Sequence, residues 1–475
     1  MAYPNVVFVF ADQMRAQSTG YAGNPDVRTP TLDRLAAQGV NCVNAVSGHP
    51  VCSPYRASLM TGQYPLTHGV TINDVPLETD APALAEVFAA HGYQTAYIGK
   101  WHLYGSPDGE YGRRRAYIPP DHRLGFEYWK AFECNHDYMA SPYFEDDNPE
   151  PQMWEGYDTL AQTRDGCQYI RDRASDDAPF FLMLSWGTPH NPYDRVPERY
   201  RALFEDRPLS LRPNVPEDQR DRATETLRGY YAHIAAIDDG VGMLLDTLEA
   251  CDLADDTIFI FTSDHGDMHQ SQGVRRKQVP WDESIRIPLL LRLPEAFGAE
   301  GLEIHTPINA PDVMPSLLGL CGLPIPDTVE GRNYASLIAG DEDEATVTDF
   351  EPSAFLNYPV SFAMSRAQGL PAYRGVRTIR YTYVRTQQGP WLLYDNVEDP
   401  YQLHNLCSNP AYARIQARLE VELETWLTSL EDRFLPGSVY LKRDGLTHYR
   451  EVSGEWGRFE TPWTVTADDD ESRPT

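Results

Sequence analysis

Mostly apolar segments of six or seven residues recur along the first two-thirds of the chain. They occupy residues 5–11, 93–98, 180–186, 257–262 and 287–293. Segments with few polar interruptions are typical of strands buried on both faces of a parallel sheet. Between them, apolar residues at helical spacing predict helices over residues 29–39, 83–91, 224–251 and 310–318. This alternation predicts an α/β fold with a large mixed, mostly parallel sheet flanked by helices.

The pattern changes after an acidic segment at residues 340–344. Residues 373–385 alternate as a hairpin strand would, with residues 391–395 as partner, and an amphipathic helix is predicted for 411–430. We therefore expect a large α/β domain at residues 1–345 and a smaller α+β domain at residues 346–475, with a small antiparallel sheet and a helix. Residues 104–162 are aromatic and irregular, and no element is predicted there.

The charge of the chain limits its partners. Its 70 acidic and 40 basic side chains give a formal net charge of −30. A field of this sign disfavours nucleic acid and repels polyanions unless the binding pocket is locally basic. The three consecutive arginines at residues 113–115 are either a solvated face or a positive rim that guides an anionic substrate.

The cysteines and the N-terminus bear on the compartment. The seven cysteines are scattered without a C-x-x-C pair, which favours a reducing compartment over a disulfide framework. No apolar run is long enough to span a bilayer, and residues 6–11 are too short for the apolar core of a signal peptide. We expect a cytoplasmic protein with no membrane partner, and we leave open whether it forms a homo-oligomer.

Polar residues that can bind a metal follow two of the predicted strands. Asp12 and Gln13 follow the first strand, and Asp264 and His265 follow the strand at residues 257–262. Carboxyl ends of strands in open α/β sheets gather ligands at one edge, so these residues predict one site for a hard cation. For Asp12 and Gln13 the alternative is a turn cap.

The segment around Cys52 predicts a loop that runs into a short helix. Ser53 is placed to cap the helix, Pro54 to open it and Gly62 to follow its end. Cys52 then lies at a helix N-terminus, which favours negative charge, with Arg56 in the first turn. A cysteine in this setting is a candidate nucleophile or the precursor of one, and the alternative is an inert buried thiol.

The sequence C-S-P-Y-R-A-S-L-M-T-G, which begins at Cys52, resembles C-x-P-x-R-[AS]-x-x-x-T-G. That pattern is the signature of the type I, formylglycine-dependent sulfatases of the alkaline phosphatase superfamily. Further segments resemble the same family: G-Y-Q-T-A-Y-I-G-K-W-H with Lys100 and His102, P-H-N-P with His190, T-S-D-H-G-D, and the block that follows Lys277. In that family a formylglycine-generating enzyme oxidises the cysteine to Cα-formylglycine, whose hydrate is the nucleophile.

The resemblance implies a hydrolase that converts sulfate monoesters, such as those of a sulfated sugar, to an alcohol and sulfate. The metal ligands that it implies are Asp12, Gln13, Asp264, His265 and the oxidised Cys52. The catalytic residues that it implies are Cys52, Arg56, Lys100, His102, His190 and Lys277, of which Lys100, His190 and Lys277 contact the substrate. His190 or Lys277 would protonate the departing alcohol, and His102 would then take a proton from residue 52. The oxygen-rich ligand set favours Ca2+, and the His265 nitrogen leaves Mn2+ open.

The chain departs from the family pattern at Gln13, where sulfatases carry a second Asp. A subset that includes phosphonate monoester hydrolases and choline sulfatase-like enzymes looks similar, with Asp-Gln. The departure removes one negative charge from the metal site. It keeps open a phosphonate monoester or phosphodiester hydrolase with the same site, and a binding protein without catalysis is a third, less favoured alternative.

Overall fold

The computed structural model describes residues 3–105, 114–294, 301–344, 348–362, 365–366 and 368–449. Its strands are β1 (Asn5–Asp12), β2 (Val40–Cys42), β3 (Ala45–Val46), β4 (Gln94–Lys100), β5 (Tyr128–Phe132), β6 (Pro142–Glu145), β7 (Gln152–Met153), β8 (Phe180–Pro189), β9 (Thr257–Ser263), β10 (Leu289–Arg292), β11 (Leu302–Ile304), β12 (Ile308–Asn309), β13 (Ala354–Tyr358), β14 (Tyr373–Arg377), β15 (Tyr381–Thr386) and β16 (Gly389–Asp395). Its α-helices are α1 (Pro30–Gln38), α2 (Cys52–Thr61), α3 (Pro65–His68), α4 (Leu84–Ala90), α5 (Asp158–Arg173), α6 (Glu198–Arg201), α7 (Arg220–Ala250), α8 (Asp282–Ile285), α9 (Ala310–Leu320), α10 (Ala335–Ile338), α11 (Ala413–Ser429) and α12 (Gly437–Arg443).

One large sheet organises the first part of the chain. Its ten strands follow the order β11-β2-β10-β9-β1-β8-β4-β5-β6-β7. The central strands from β9 to β5 run parallel, whereas β10 is antiparallel to both of its neighbours and β6 is antiparallel to β5. The predicted α/β fold with a mixed, mostly parallel sheet is thus confirmed.

Strand β1 shows why the apolar segments lack alternation. Val6, Phe8 and Phe10 pack on one face of the sheet with residues of α2, α4 and α9. Val7 and Val9 pack on the other face with residues of α5 and α7. Because both faces are covered by helices, every position of the strand interior is apolar and the polar residues fall at the strand ends.

The parallel strands bring their carboxyl ends to one edge of the sheet. Asp12 ends β1 and is paired with Pro189 at the end of β8. Lys100 ends β4, and Ser263 ends β9 directly before Asp264. Polar residues that are far apart in sequence therefore meet at this edge, as expected for ligand sites of open α/β sheets.

The C-terminal part forms a four-stranded antiparallel sheet in the order β13-β14-β15-β16, with α11 packed against it. The single strand predicted at residues 373–385 is two strands, because the chain turns at Thr378, whose hydroxyl accepts the N–H groups of Arg380 and Tyr381. Strand β13 was not predicted. The N–H of its Asn357 donates to the carbonyl of Gly48 at 2.7 Å, so this sheet docks beside the segment that leads to Cys52.

The region described as irregular in the sequence contains regular structure. Strands β5, β6 and β7 continue the large sheet beyond β4, and α5 begins at Asp158. The interpretation was wrong because aromatic residues, such as the fully buried Trp129, act as strand residues here. Of the arginines at residues 113–115, the first lies outside the described residues. None of the helices in the described ranges has the length and apolar character that a bilayer span requires.

Candidate active site

Helix α2 presents Cys52 at its first position. Because the helix begins at Cys52, the predicted capping role of Ser53 is wrong. Val51 is the N-cap residue and makes no side-chain cap bond, and Asn73 Oδ1 from another loop accepts the Ser53 N–H at 3.1 Å. Gly62 follows the helix in the left-handed conformation, with φ of 67°, as predicted. The Cys52 thiol thus lies in a first turn whose N–H groups lack helical partners.

Four side chains that can bind a metal converge near this helix start. One ligand atom from each lies within 4.8 Å of the others, and all four residues, Asp12, Cys52, Asp264 and His265, are buried. Cys52 Sγ is 3.2 Å from His265 Nε2 and 3.7 Å from Asp12 Oδ1. His265 Nε2 is 3.4 Å from Asp264 Oδ1. The cluster joins the ends of β1 and β9 to the start of α2.

Two buried cations hold the carboxylates of this cluster. Lys100 Nζ is 2.6 Å from Asp12 Oδ2. Arg56 Nη2 is 3.2 Å from Asp12 Oδ2 and 3.3 Å from Asp264 Oδ2. Arg56 Nη1 donates to the Lys100 carbonyl and to Ser185 Oγ, both at 2.8 Å. Both terminal nitrogens of the Arg56 guanidinium are therefore engaged by the protein itself.

A third cation, Lys277, contacts the thiol directly. Its Nζ is 2.9 Å from Cys52 Sγ and 3.0 Å from His265 Nε2. Burial and the Asp12 charge raise the pKa of the Cys52 thiol. The positive charges of Lys100 and Lys277 contribute most to lowering that pKa, which lies well below its ordinary value. Sulfur at this position is held in a setting that favours a negative charge.

The two carboxylates of the cluster have opposite pKa shifts. Burial raises the pKa of Asp12, but Lys100 and the other nearby cations lower it by more, so it lies well below its ordinary value. The pKa of Asp264 is raised, first by burial and then by the Asp12 charge. Asp264 thus lies where a further negative charge is unfavourable, and a divalent cation bound between the two would relieve this.

Gln13 stands beside the cluster with one unsatisfied atom. Its backbone has a left-handed φ of 71°, and its N–H donates to Asp264 Oδ1 at 2.9 Å. Its Nε2 donates to Asp267 Oδ2 at 2.7 Å, while its Oε1 is buried with no hydrogen-bond partner in the described part of the chain. An unpartnered buried amide oxygen is unfavourable and is a good ligand for a hard cation. The residues present therefore fit a divalent cation.

A carboxylate that the sequence did not single out holds His102. Asp74 Oδ1 is 3.3 Å from His102 Nε2, and Arg114 donates to both oxygens of Asp74 at 2.9 and 2.8 Å. Burial lowers the pKa of His102. Cys134 raises it most, and hydrogen bonds with Asp74 and Cys52 add to this, so that the pKa of His102 rises to about 9. Arg114 is thus a structural partner of the site.

His190 follows the end of β8 and is held by its neighbours. Its Nδ1 is 2.8 Å from the carbonyl oxygen of Asn191, and its ring stacks on that of His136 with centroids 4.5 Å apart. The Tyr138 hydroxyl is 2.8 Å from the His190 carbonyl oxygen. Burial, Lys277 and His136 all lower the pKa of His190, which lies well below its ordinary value. His190 is therefore neutral in the site as described.

All of the predicted site residues are buried around this edge of the sheet. Those in direct contact with the cluster or its carboxylates are Asp12, Gln13, Cys52, Arg56, Lys100, Asp264, His265 and Lys277. His102 is hydrogen-bonded to Cys52, and His190 lies close enough for the charges of Lys277 and Asp12 to shift its pKa. The sequence contained no indication of Asn73, Asp74 and Tyr193, and it placed Asp267 near the site without a role. Only Asp267, inside T-S-D-H-G-D, stands in a recognisable motif.

The chain resembles known proteins along most of its length. The chain matches the Sulfatase family model over residues 4–323, and the model named N-sulphoglucosamine sulphohydrolase, C-terminal, over residues 271–429. It is similar to a protein named ulvan-active sulfatase from Formosa agariphila, with 44% identity over 473 residues that cover 98% of this chain and 90% of the relative. A solved structure from Bacteroides fragilis, named for the sulfatase yidJ, has a TM-score of 0.81 and 29% identity, covering 92% of this chain and 97% of that one. A phosphonate monoester hydrolase of Agrobacterium radiobacter has a TM-score of 0.70 and 26% identity, covering 91% and 96%.

These matches extend along nearly the whole chain. The Sulfatase model contains every residue of the cluster around Cys52, from Asp12 to Lys277. Each of these two structural matches covers more than nine-tenths of this chain. This protein therefore belongs to the sulfatase family of the alkaline phosphatase superfamily and is a sulfuric ester hydrolase.

Proposed function

We propose that this protein cleaves sulfate monoesters to an alcohol and inorganic sulfate, with an oxidised Cys52 as nucleophile and one divalent cation at the site. The observation that carries the proposal is the setting of Cys52, whose Sγ lies 2.9 Å from Lys277 Nζ and 3.2 Å from His265 Nε2. A structural thiol would lie among apolar side chains, whereas this one lies among charged groups. A formylglycine-generating maturation enzyme would convert the thiol to an aldehyde, so Sγ marks the position that an oxygen would take.

The cation would be held by residues from the two strand ends and by residue 52. These residues are Asp12, Gln13, Asp264, His265 and the oxidised Cys52. When bound, the cation would draw negative charge away from the ester oxygens and from the nucleophilic oxygen. Oxygen donors predominate in this set, which favours Ca2+, and the one imidazole nitrogen keeps Mn2+ as the second candidate.

The three cationic side chains have different tasks in this proposal. Arg56 keeps the Asp12 and Asp264 carboxylates at their separation, because its terminal nitrogens are engaged by them and by other protein oxygens. Lys277 is the cation nearest to the reacting atom and would stabilise charge on the sulfate oxygens. Lys100 lies on Asp12 and would add to the positive potential that receives the anionic group.

The histidines and Lys277 would move protons. His102, whose ring Asp74 holds through Nε2 at 3.3 Å, would take a proton from the oxygen of residue 52 after it has released its own, because a pKa of about 9 keeps it protonated near pH 7. His190 or Lys277 would donate a proton to the oxygen of the departing alcohol. The low pKa of His190 in the site as described favours Lys277 for this donation.

We also propose the division into domains at residue 345, with the reacting groups in residues 1–345. The part from residue 346 onwards would support them. Asn357 bonds to Gly48, and the Ser365 hydroxyl bonds to Gln278, which is next to Lys277. Residues 450–475 lie outside the described residues.

The substrate that we propose is a sulfated sugar, a small anionic ester. The match of residues 271–429 to the C-terminal region of an N-sulphoglucosamine sulphohydrolase supports it. The buried cations around Cys52 supply the local positive charge that an anion needs to enter a chain of net charge −30.

Parallel assays with an aryl sulfate and a phenylphosphonate ester, in the presence of Ca2+, test the proposal. We expect the sulfate to be turned over faster, and Cys52→Ala to abolish turnover of both esters. Cys42→Ala, which changes another buried thiol, is the matched control and should retain activity. Faster turnover of the phosphonate would instead favour a phosphonate monoester hydrolase. The Asp12-Gln13 pair and the 26% identical hydrolase structure support that alternative. Undiminished sulfate turnover by Cys52→Ala would refute the proposed nucleophile.

A further inference from the structure

We propose that Asp267 is a positioning residue that fixes the side-chain amide of Gln13 with its oxygen toward the cation site. The inference rests on the divalent cation of the proposed function. It assigns to a buried carboxylate outside the ligand set the task of deciding whether Gln13 offers an oxygen or an NH2 group to the metal.

Asp267 is surrounded by donors. It is 1% exposed, and its Oδ2 accepts the Gln13 Nε2–H at 2.7 Å and the Tyr193 hydroxyl at 2.5 Å. Its Oδ1 accepts the backbone N–H of His269 at 2.9 Å. An ionised carboxylate is an acceptor on both oxygens. Each of the three neighbours must therefore present a hydrogen to it.

This requirement settles the orientation of the Gln13 amide. The two ends of a glutamine amide differ only in which atom donates, and the surrounding hydrogen bonds decide which end faces which way. Because Asp267 accepts only, Gln13 turns its NH2 group to Asp267 at 2.7 Å and its Oε1 to the opposite side. Asn191 Oδ1 and the Tyr193 hydroxyl oxygen are weaker acceptors of the same NH2 group, both at 3.3 Å. That Oε1 is the buried atom for which the described residues supply no hydrogen-bond donor.

The rest of Gln13 is already fixed, so the amide orientation is the one property left to set. Its N–H donates to Asp264 Oδ1 at 2.9 Å, and its carbonyl accepts the Tyr230 hydroxyl at 2.7 Å. The left-handed φ of 71° is uncommon for a residue with a side chain and is held by these two bonds. A rigid backbone next to Asp264 places the amide beside the ligand cluster.

The test is the affinity of the full-length protein for Ca2+ and for Mn2+, measured by calorimetry without substrate. Asp267→Asn replaces an acceptor by an NH2 group on one side. In one orientation this NH2 group faces the His269 N–H, and in the other it faces the Gln13 NH2 group. The second clash between donors is relieved when the Gln13 amide reverses, which removes the Gln13 oxygen from the cation site. We expect the affinity of Asp267→Asn for both ions to fall by about 10- to 100-fold.

Two further variants separate this role from a general loss of structure. Asp312→Asn is the matched control, because Asp312 is also buried and accepts the backbone N–H groups of Asn309 and Arg332, both at 2.8 Å. It should lower stability and leave metal affinity unchanged. Gln13→Glu in the Asp267→Asn background exchanges donor and acceptor between the two positions. We expect this double variant to regain metal affinity relative to Asp267→Asn and to Gln13→Glu alone.

Wild-type affinity retained by a folded Asp267→Asn would overturn the inference, and so would a folded double variant that binds no better than Gln13→Glu. If the variants do not fold, a structure of the wild-type protein with Ca2+ decides. The Gln13 Oε1 should lie about 2.3–2.6 Å from the ion, and an ion bound without Gln13 refutes the role of Asp267. A wild-type protein that binds neither ion would contradict the proposed function itself, which keeps the two failures distinct.

Discussion

Replacing Arg56 by Met tests whether the charges at the edge of the sheet are arranged around a cation. Arg56 is fully buried, and its Nη2 lies 3.2 Å and 3.3 Å from carboxylate oxygens of Asp12 and Asp264. Met keeps a long, unbranched apolar side chain in place of the stem and removes the charge. The two carboxylates then lose the cation that they share, while Lys100 remains on Asp12.

The geometry gives the size of the effect. At an effective dielectric constant of about 20, opposite unit charges at this separation attract by about 5 kcal/mol before the cost of desolvation is counted. Removing one partner of a buried ion pair lowers the free energy of unfolding by about 3–5 kcal/mol. We expect this loss for Arg56→Met without metal. A divalent cation on the same carboxylates would replace the missing charge, so the loss should be smaller when Ca2+ is present.

Thermal unfolding in EDTA and in excess Ca2+ measures both quantities, with the two buffers at one pH. Arg374→Met is the matched control, because Arg374 is also fully buried but is paired with Asp432 and not with the carboxylates of the cluster. The Tm of the control should lie below that of the wild type by the same amount in both buffers. For Arg56→Met this decrease in Tm should be smaller in Ca2+ than in EDTA. Equal losses for Arg56→Met in the two buffers would refute the reasoning.

Three further predictions concern Lys277, Asp74 and Asp158. Lys277→Ala should lower kcat for an aryl sulfate by about 10²- to 10³-fold, because the cation nearest to the reacting atom is lost; an unchanged kcat would exclude that role. Asp74→Asn should lower kcat by about tenfold or more with little change in KM, because its NH2 group faces Arg114 and His102 loses its support; a changed KM with an unchanged kcat would contradict this. Burial raises the pKa of Asp158 from 3.8 to about 7, so the folded state binds the proton more tightly than the unfolded state does. The free energy of unfolding therefore falls as the pH rises from about 4 to 7, by on the order of 4 kcal/mol at most. Asp158→Asn should therefore have a higher Tm than the wild type at pH 8 and no such advantage at pH 4, and the same difference in Tm at both pH values would refute the assignment.

The strands that are buried on both faces along their whole length could be predicted from the sequence. Residues 5–11 and 180–186 are apolar throughout because helices cover both faces of β1 and β8, and the strand ends could be identified by their polar residues. Strand β5 was missed because Lys130 and its aromatic neighbours resemble loop composition, although the strand pairs with β4 along five residues. The helix start at Cys52 was misplaced because Asn73, a residue distant in sequence, provides the acceptor that Ser53 was expected to supply.

The candidate site was predictable where motif residues themselves carry the chemistry. Asp12, Cys52, Asp264 and His265 lie in recognisable segments, and the structure brings them together. Asp74 and Tyr193 could not be predicted, because their tasks depend on side-chain directions that arise only when separate loops pack together. A carboxylate that orients another residue is not marked by any characteristic spacing of residues in the sequence.

The central claim is that Cys52 becomes the nucleophile of a sulfate ester hydrolase. A mass spectrum of the tryptic peptide that carries Cys52, from protein made in a host with a formylglycine-generating enzyme, measures this directly. We expect residue 52 to have lost its sulfur and to carry an aldehyde oxygen, in the same preparation that turns over an aryl sulfate. An active preparation in which residue 52 is an unmodified thiol would contradict it.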